Sequence, residues 1–406
     1  MPATHLSCRR CGAEQPLEAV GTCPKCFGPL DPQYDWDDLR RTVTRESIEA
    51  GPRSLWRYAP LLPVAAPDEE RLPVGCTPLV TAPRLAEELG IRELFLKLDT
   101  ANPTHSFKDR VVAIACAKAQ ELGLTTLSCS STGNLANAVA ARAAAEGLEA
   151  AVLVPFDLER EKLVTTAAYG ATIYAIRGHY DDCSRISVEL SFELSWGFVN
   201  VNLRSYYAEG SKTVGYEICE QLGWQVPDVV VSPVASGALL SKVAHGIRDF
   251  RRLGLVAGPT PRIVGGQAEG CAPVATAFAE ARAVTPVRPA SIVRSLAIGS
   301  PADGDLAIET VRDSHGAIYA VPEDEVGENM ALLAGTTGVF GETATGVTLG
   351  ALRSAIDAGT VTADDRVVLL VTGDGLKTLA PVVDRFDPIE VEPDADALLE
   401  RLGVQV

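Results

Sequence analysis

Two groups of residues in this chain have types and spacings that suit chemistry. The first lies in CRRCGAEQPLEAVGTCPKC (8–26), where two Cys-x-x-Cys pairs are separated by eleven residues. Each pair makes a tight knuckle that turns two thiolates to one side. Cys8, Cys11, Cys23 and Cys26 together supply the four sulfur ligands that Zn²⁺ favours. Four thiolates leave no open coordination position, so the expected role of the metal is structural. Gly12 and Gly28 follow the two pairs, where a knuckle needs a permissive backbone. The competing reading is four unrelated cysteines or a decayed site.

The second group is spread over four loops. Lys108, in NPTHSFKDR (102–110), falls in the first turn of a predicted helix with Ser106 as its candidate cap. The positive end of a helix favours the neutral amine that condenses with an aldehyde, although most helix lysines are merely solvated. SSTGN (130–134) joins a strand to an alanine-rich helix, and its hydroxyls, amides and Asn134 suit a carboxylate or phosphate at a helix start. SPVASGALL (232–240) repeats that logic around Gly237, since small residues let backbone amides approach phosphate oxygens. LLVTGDGLK (369–377) ends an apolar strand in a glycine-rich turn, where Thr372 can offer its hydroxyl to a neutral ring nitrogen. Each segment alone fits an ordinary N-cap or turn. Together they equip a site for a phosphate-bearing aldehyde cofactor.

The elements that must position these loops alternate along the chain. ELFLKLD (93–99), TTLSCS (125–130), AAVLVP (150–155), ATIYAI (171–176), DVVVSPV (228–234), RIVGGQA (262–268) and RVVLLVTG (366–373) read as buried strands. SFKDRVVAIACAKAQELG (106–123) and the alanine-rich run through Glu146 read as helices. The pattern predicts an α/β protein with mostly parallel sheets, whose ligands sit at the carboxyl ends of strands. Residues 31–75 carry Pro32, Pro52, Pro60, Pro63, Pro67 and Pro73; they read as a connector with a short helix around 37–48.

Bulk properties exclude some partners. Among 406 residues, 36 lysines and arginines face 53 acids, a net charge of −17. Such a surface repels nucleic acid and anionic lipid. No run of about twenty uncharged apolar residues predicts a membrane span, and the start MPATHLSCRRCG lacks the apolar core of an export signal. Cys76, Cys116, Cys129, Cys183, Cys219 and Cys271 are scattered, as reduced cysteines usually are. The expected compartment is the cytosol.

The four loops stand in one order with GCTPL (75–79), GGQAEGCAPV (265–274), SLAIGSPADGDLAI (295–308) and GVFGETATGVTLGAL (338–352). Over about residues 75–380 this set resembles threonine synthase, in the pyridoxal-phosphate fold type II superfamily. The four-cysteine extension resembles that of some threonine synthases. The resemblance implies two α/β lobes with the cofactor between them, a small zinc-ribbon-like element, and a homodimer. The expected divisions are 1–30 for the ribbon, 31–75 for the connector, 76–390 for the catalytic body and 391–406 for a tail. A small lobe at about 108–215 is inserted in the large one.

The same resemblance implies roles. Lys108 binds the cofactor aldehyde, Asn134 lies near its 3-hydroxyl, and Thr372 partners the pyridine nitrogen. Ala235, Ser236, Gly237, Ala238 and Leu239 cradle the phosphate. Ser131 and Thr132 are candidates for the substrate carboxylate, and Arg204 and Lys212 for its phosphate, with a solvated basic pair as the alternative. Glu342 either orients the cofactor region or simply opens a helix. The implied reaction converts O-phospho-L-homoserine and water to L-threonine and phosphate, with Lys108 as the mobile base. Three positions depart from the common pattern: His105 replaces glycine, the phosphate loop ASGAL lacks asparagine, and Asp374 replaces histidine. Rival readings are a β-replacing cysteate or cysteine synthase, a serine/threonine dehydratase, and a non-catalytic zinc-ribbon interaction protein.

Overall fold

A computed structural model of the chain describes residues 3–131, 133–158, 160–385 and 387–403. Among these residues the strands form three sheets. The N-terminal one is small and antiparallel: β1 (Ala3–Cys8) pairs with β2 (Glu14–Gln15) and β3 (Leu30–Tyr34). It frames both cysteine pairs. The predicted helix at 37–48 is two helices, Trp36–Thr42 and Arg45–Glu49. Val43 is extended and Thr44 starts the second helix with a capping box to Ser47, a competing local hydrogen-bond set that stops the first.

The main sheet opens with β4 (Leu79–Thr81) and β5 (Glu93–Leu98). The chain then leaves it to build a second sheet from β6 (Thr126–Ser130), β7 (Glu149–Pro155), β8 (Thr172–Ile176) and β9 (Gly197–Phe198), in the order β8-β7-β6-β9. It returns with β10 (Val229–Pro233), β11 (Arg262–Ala268), β12 (Ala317–Val321) and β13 (Arg366–Val371), giving the order β12-β11-β10-β13-β5-β4. All pairings in these two sheets are parallel except β4 with β5. β6 and β10 are buried at every position, which is why their sequences are unbroken apolar or small runs rather than alternations.

Helices cover the sheets. Three of them start at loops singled out by sequence, Lys108–Glu121, Asn134–Glu146 and Ala238–Arg252, and a fourth, Thr343–Asp357, starts within GVFGETATGVTLGAL. Between the last strand and the end of the chain, Leu376, Leu379 and Val383 are exposed. No helix among the described residues is long and apolar enough to cross a membrane. All ten cysteines are free, and burial pushes the thiols of Cys116, Cys129 and Cys219 up to about 12, which keeps them inert.

Candidate active site

Lys108 is the first residue of its helix, and its Nζ donates to the Tyr207 hydroxyl at 3.1 Å. The ring of Phe107 lies 4.7 Å from the same nitrogen. Ser106 does not cap this helix. The N-cap is Phe107, without a side-chain hydrogen bond, and Ser106 Oγ is buried without a protein partner. Ser106 is instead held in an antiparallel bridge to Gly373, while Phe107 N–H donates to the Thr372 carbonyl at 3.0 Å. The lysine loop and the loop after β13 are therefore stitched together, with Thr372 buried beneath them.

A third loop closes on the same place. Asn134 opens its helix after β6 and donates its side-chain amide to Glu342 at 3.1 and 3.0 Å. Glu342 is the N-cap of Thr343–Asp357 and its backbone N–H donates to Gly373 O at 2.9 Å. Burial pushes its carboxyl up; Asn134, Lys377 and Lys108 partly offset that. Lys377, which the sequence reading did not assign, donates to Asn134 Oδ1 at 2.7 Å and to the carbonyls of Thr104 and His105 at 2.5 and 3.2 Å. Only its i, i+5 spacing from Thr372 in VTGDGLK hinted at it. His105 sits at φ 57°, a left-handed conformation that glycine adopts without strain, so its place as a glycine substitute is a matter of backbone. Ser131 lies at the same strand end and is half-buried. Thr132 lies outside the described residues.

The fourth loop follows β10. Gly237 has φ 96°, and a Cβ there would lie 2.4 Å from Asp303 O, so no other residue fits. Ala238 begins the helix Ala238–Arg252, whose first turn leaves backbone N–H groups without intrahelical partners. Ser236 O accepts from Asp303 N–H at 2.9 Å. Ala235, Ser236 and Ala238 are half-buried, and Leu239 borders one crevice with Thr372 and Lys97. A glycine-shaped cradle at a helix start fits a phosphate, and a lysine with an orphaned hydroxyl beside it fits an aldehyde-bearing ring.

Arg204 and Lys212 separate. Arg204 is partly exposed and bonds the carboxylate of Asp303, next to the cradle. Lys212 is corrected: its Nζ is buried between Glu209 at 2.8 Å and Asp249 at 3.0 Å. A cation already neutralised in the core is not offered to a ligand.

The four cysteine sulfurs lie within 4.8 Å of one another, with Cys8–Cys26 at 3.5 Å and Cys11–Cys23 at 3.7 Å. Sulfurs of a tetrahedral zinc site are about 3.8 Å apart, so the cluster is compatible with zinc. Phe27, not Gly28, takes the left-handed conformation after the second pair. Gly28 is needed for space, since a Cβ would lie 2.9 Å from Cys8 Sγ.

The family description "Pyridoxal-phosphate dependent enzyme" matches residues 70–373. A threonine synthase of Methanosarcina acetivorans is 35% identical over 98% of this chain and 98% of its own. That of Methanocaldococcus jannaschii is 34% identical over 96% and 97%. The chain belongs to the pyridoxal-phosphate dependent enzymes, in the threonine synthase family. Solved structures agree on the fold. A threonine deaminase from Solanum lycopersicum superposes with TM-score 0.63 at 20% identity, over 73% of this chain and 79% of that one. An O-ureido-L-serine synthase variant superposes with TM-score 0.62 at 22% identity, over 82% and 97%. Family membership makes pyridoxal phosphate the cofactor that the cradle and Lys108 suit, and a small molecule the substrate.

Proposed function

We propose that this enzyme converts O-phospho-L-homoserine and water to L-threonine and phosphate. The reading rests on end-to-end similarity to threonine synthases, in a chain that sets Lys108 at the first turn of a helix where the loops meet. Bound pyridoxal phosphate supplies an electron sink for charge that develops on the amino acid. The remaining work falls to the protein. Lys108 holds the cofactor aldehyde and then carries protons at the α- and β-carbons, its Nζ oriented by the Tyr207 hydroxyl. Asn134 faces the cofactor's 3-hydroxyl, and Thr372 gives the ring nitrogen a neutral partner. Ala235 to Leu239 take the cofactor phosphate through backbone amides. Ser131 and Thr132 take the substrate carboxylate, and Arg204 its phosphate, as a planar guanidinium suits. Fixing these groups in register is proximity catalysis.

Cys8, Cys11, Cys23 and Cys26 hold a structural zinc. Free, buried thiols suit a reducing cytoplasm, and the net charge of −17 disfavours nucleic acid as a partner. A homodimer is the expected assembly.

The test is release of phosphate and threonine from O-phospho-L-homoserine by the purified, cofactor-loaded protein. Equal amounts of both are expected. A protein that takes up cofactor and releases neither would move the activity to a β-replacing synthase or a dehydratase. A protein unable to take up cofactor would revive the interaction-module reading.

A further inference from the structure

The four-cysteine element has no part in the chemistry just proposed, yet it touches both phosphate-handling segments. Arg9 lies between Cys8 and Cys11, so the first knuckle sets its backbone: Cys8 N–H donates to Ala13 O at 3.0 Å and Arg9 N–H to Pro29 O at 3.0 Å. Its side chain leaves the element and ends on two carboxylates, Asp303 Oδ1 at 2.7 Å from Nη2 and Asp31 Oδ2 at 2.8 Å from Nε.

Both carboxylates are tied onward to the phosphate cradle. Asp303 donates its backbone N–H to Ser236 O at 2.9 Å, and its own carbonyl oxygen is the atom against which Gly237 packs. Its second carboxylate oxygen takes Arg204. Burial works against the charge of Asp303, and Arg204 and Arg9 hold its carboxyl below the usual range. Asp31 accepts from Lys242 Nζ at 2.9 Å, and Lys242 lies one turn into the helix Ala238–Arg252. The second cysteine loop grips the other side. The Tyr206 hydroxyl donates to Glu18 O at 2.9 Å, and a Cβ on Gly21 would lie 2.9 Å from Val201 O. These contacts fix the segment that carries Arg204.

We propose that Arg9 is a positioning residue through which zinc occupancy of the cysteine element sets the affinity of the site for the phosphates of cofactor and substrate. This rests on the reading that residues 235–239 take the cofactor phosphate and Arg204 that of the substrate. The metal fixes the knuckle, and the knuckle fixes Arg9. A guanidinium bonded to two carboxylates holds orientation as well as distance. Asp303 then sets Ser236 and Gly237 on one side and Arg204 on the other. Without zinc the knuckle relaxes, Asp303 loses one of its two cations, and both phosphate contacts loosen together.

Full-length Arg9→Met and Arg9→Lys proteins test this against the parent. Bound zinc is measured by elemental analysis, cofactor Kd by absorbance titration, and KM and kcat on O-phospho-L-homoserine at saturating cofactor. Arg9→Met should keep its zinc while cofactor Kd and KM each rise roughly tenfold, the loss of one charge-assisted contact. Its kcat should stay within about twofold, since Arg9 touches neither ligand. Arg9→Lys, which reaches one carboxylate, should fall between. Chelating zinc from the parent should raise Kd by a similar factor. If Arg9→Met does not fold, Asp303→Asn, which keeps the backbone contacts, should show the same rise. Unchanged Kd and KM in zinc-replete Arg9→Met overturn the coupling. Gly237→Ala separates the two readings. A Kd raised there but not in Arg9→Met leaves the cradle and removes the coupling, whereas a Kd unchanged in both removes the cradle and the coupling with it.

Discussion

Asn134 donates its side-chain amide to both carboxylate oxygens of Glu342, at 3.1 and 3.0 Å, while Lys377 donates to its carbonyl oxygen at 2.7 Å. A lysine only donates, so Oδ1 of Asn134 must face Lys377 and the amide has one orientation available. Replacing either partner removes that constraint.

Glu342→Gln and Lys377→Met are therefore both expected to lower turnover by about ten- to a hundredfold, the value of one charged hydrogen bond of about 1.5–3 kcal/mol. Both should also shift the visible absorbance of the bound cofactor, because the group beside its ring hydroxyl is no longer fixed. Steady-state kinetics and a spectrum of each variant check this. Parent-like spectra and turnover in both would take Asn134 out of the site.

Arg204 and Lys212 make opposite predictions although eight residues apart in one motif. Arg204→Met should raise KM for the phosphorylated substrate tenfold or more, at about 1.5–3 kcal/mol for a charged contact, with little change in melting temperature. Lys212→Met leaves Asp249 in the core without its cation and Glu209 with Lys242 alone and should lower stability by about 3–5 kcal/mol. Denaturation midpoints and kinetics on both proteins distinguish them. A stable Lys212→Met with a raised KM would restore that lysine to the substrate.

Legibility in the sequence followed the range of the interaction. β11, spanning Arg262–Ala268, was readable to the residue because every position after Arg262 is buried and, Gln267 apart, apolar or small. β12 (Ala317–Val321) was not read, because its burial is mixed and AIYAV is too short to carry a period. Lys108, Asn134, Gly237 and Thr372 could be picked out because each sits at a strand-to-helix junction. Of their partners only Glu342 was marked, as a residue that either orients the cofactor region or opens a helix, and it does both. Tyr207 and Asp303 reach the site from distant elements, and nothing local marks a lysine as buried, like Lys212, or as a clamp, like Lys377. Ser106 was misread as a cap because hydroxyl plus helix start is the commoner arrangement.

Zinc removal should be felt beyond the cysteine loops. Leu6, Cys8, Cys23 and Leu30 pack in one cluster with Leu55, Val64 and the helix residues Val111 and Val112. Elemental analysis of the purified protein should find one zinc per chain. Cys11→Ser, at the exposed cysteine, should lose it and melt at a lower temperature, since metal binding and folding are linked. Full zinc content in that variant would mean the four sulfurs are not the ligands.

Glu217 is the buried hub beneath the active-site lysine's helix. Its carboxylate accepts from Arg110 at 2.6 and 2.8 Å, from Lys97 at 2.6 Å, and from the backbone N–H groups of Cys76 and Thr77 at 2.7 and 3.2 Å. Burial raises its proton affinity, but Arg110 and Lys97 outweigh it and hold the carboxyl down to about 2 from an ordinary 4.5. A carboxyl depressed in the folded state contributes stability at every pH above its unfolded value. That contribution disappears as pH falls from 4.5 towards about 2 and is on the order of 3 kcal/mol. Glu217→Gln should cost about 3–5 kcal/mol at neutral pH, because Arg110 and Lys97 lose their shared anion. It should also flatten the acid limb of stability against pH. Glu209, likewise held at about 2, by Lys212 and Lys242, leaves a residual slope. Denaturant titrations of parent and variant between neutral pH and about pH 3 check both parts, and parallel acid limbs would assign the pH dependence to other carboxylates.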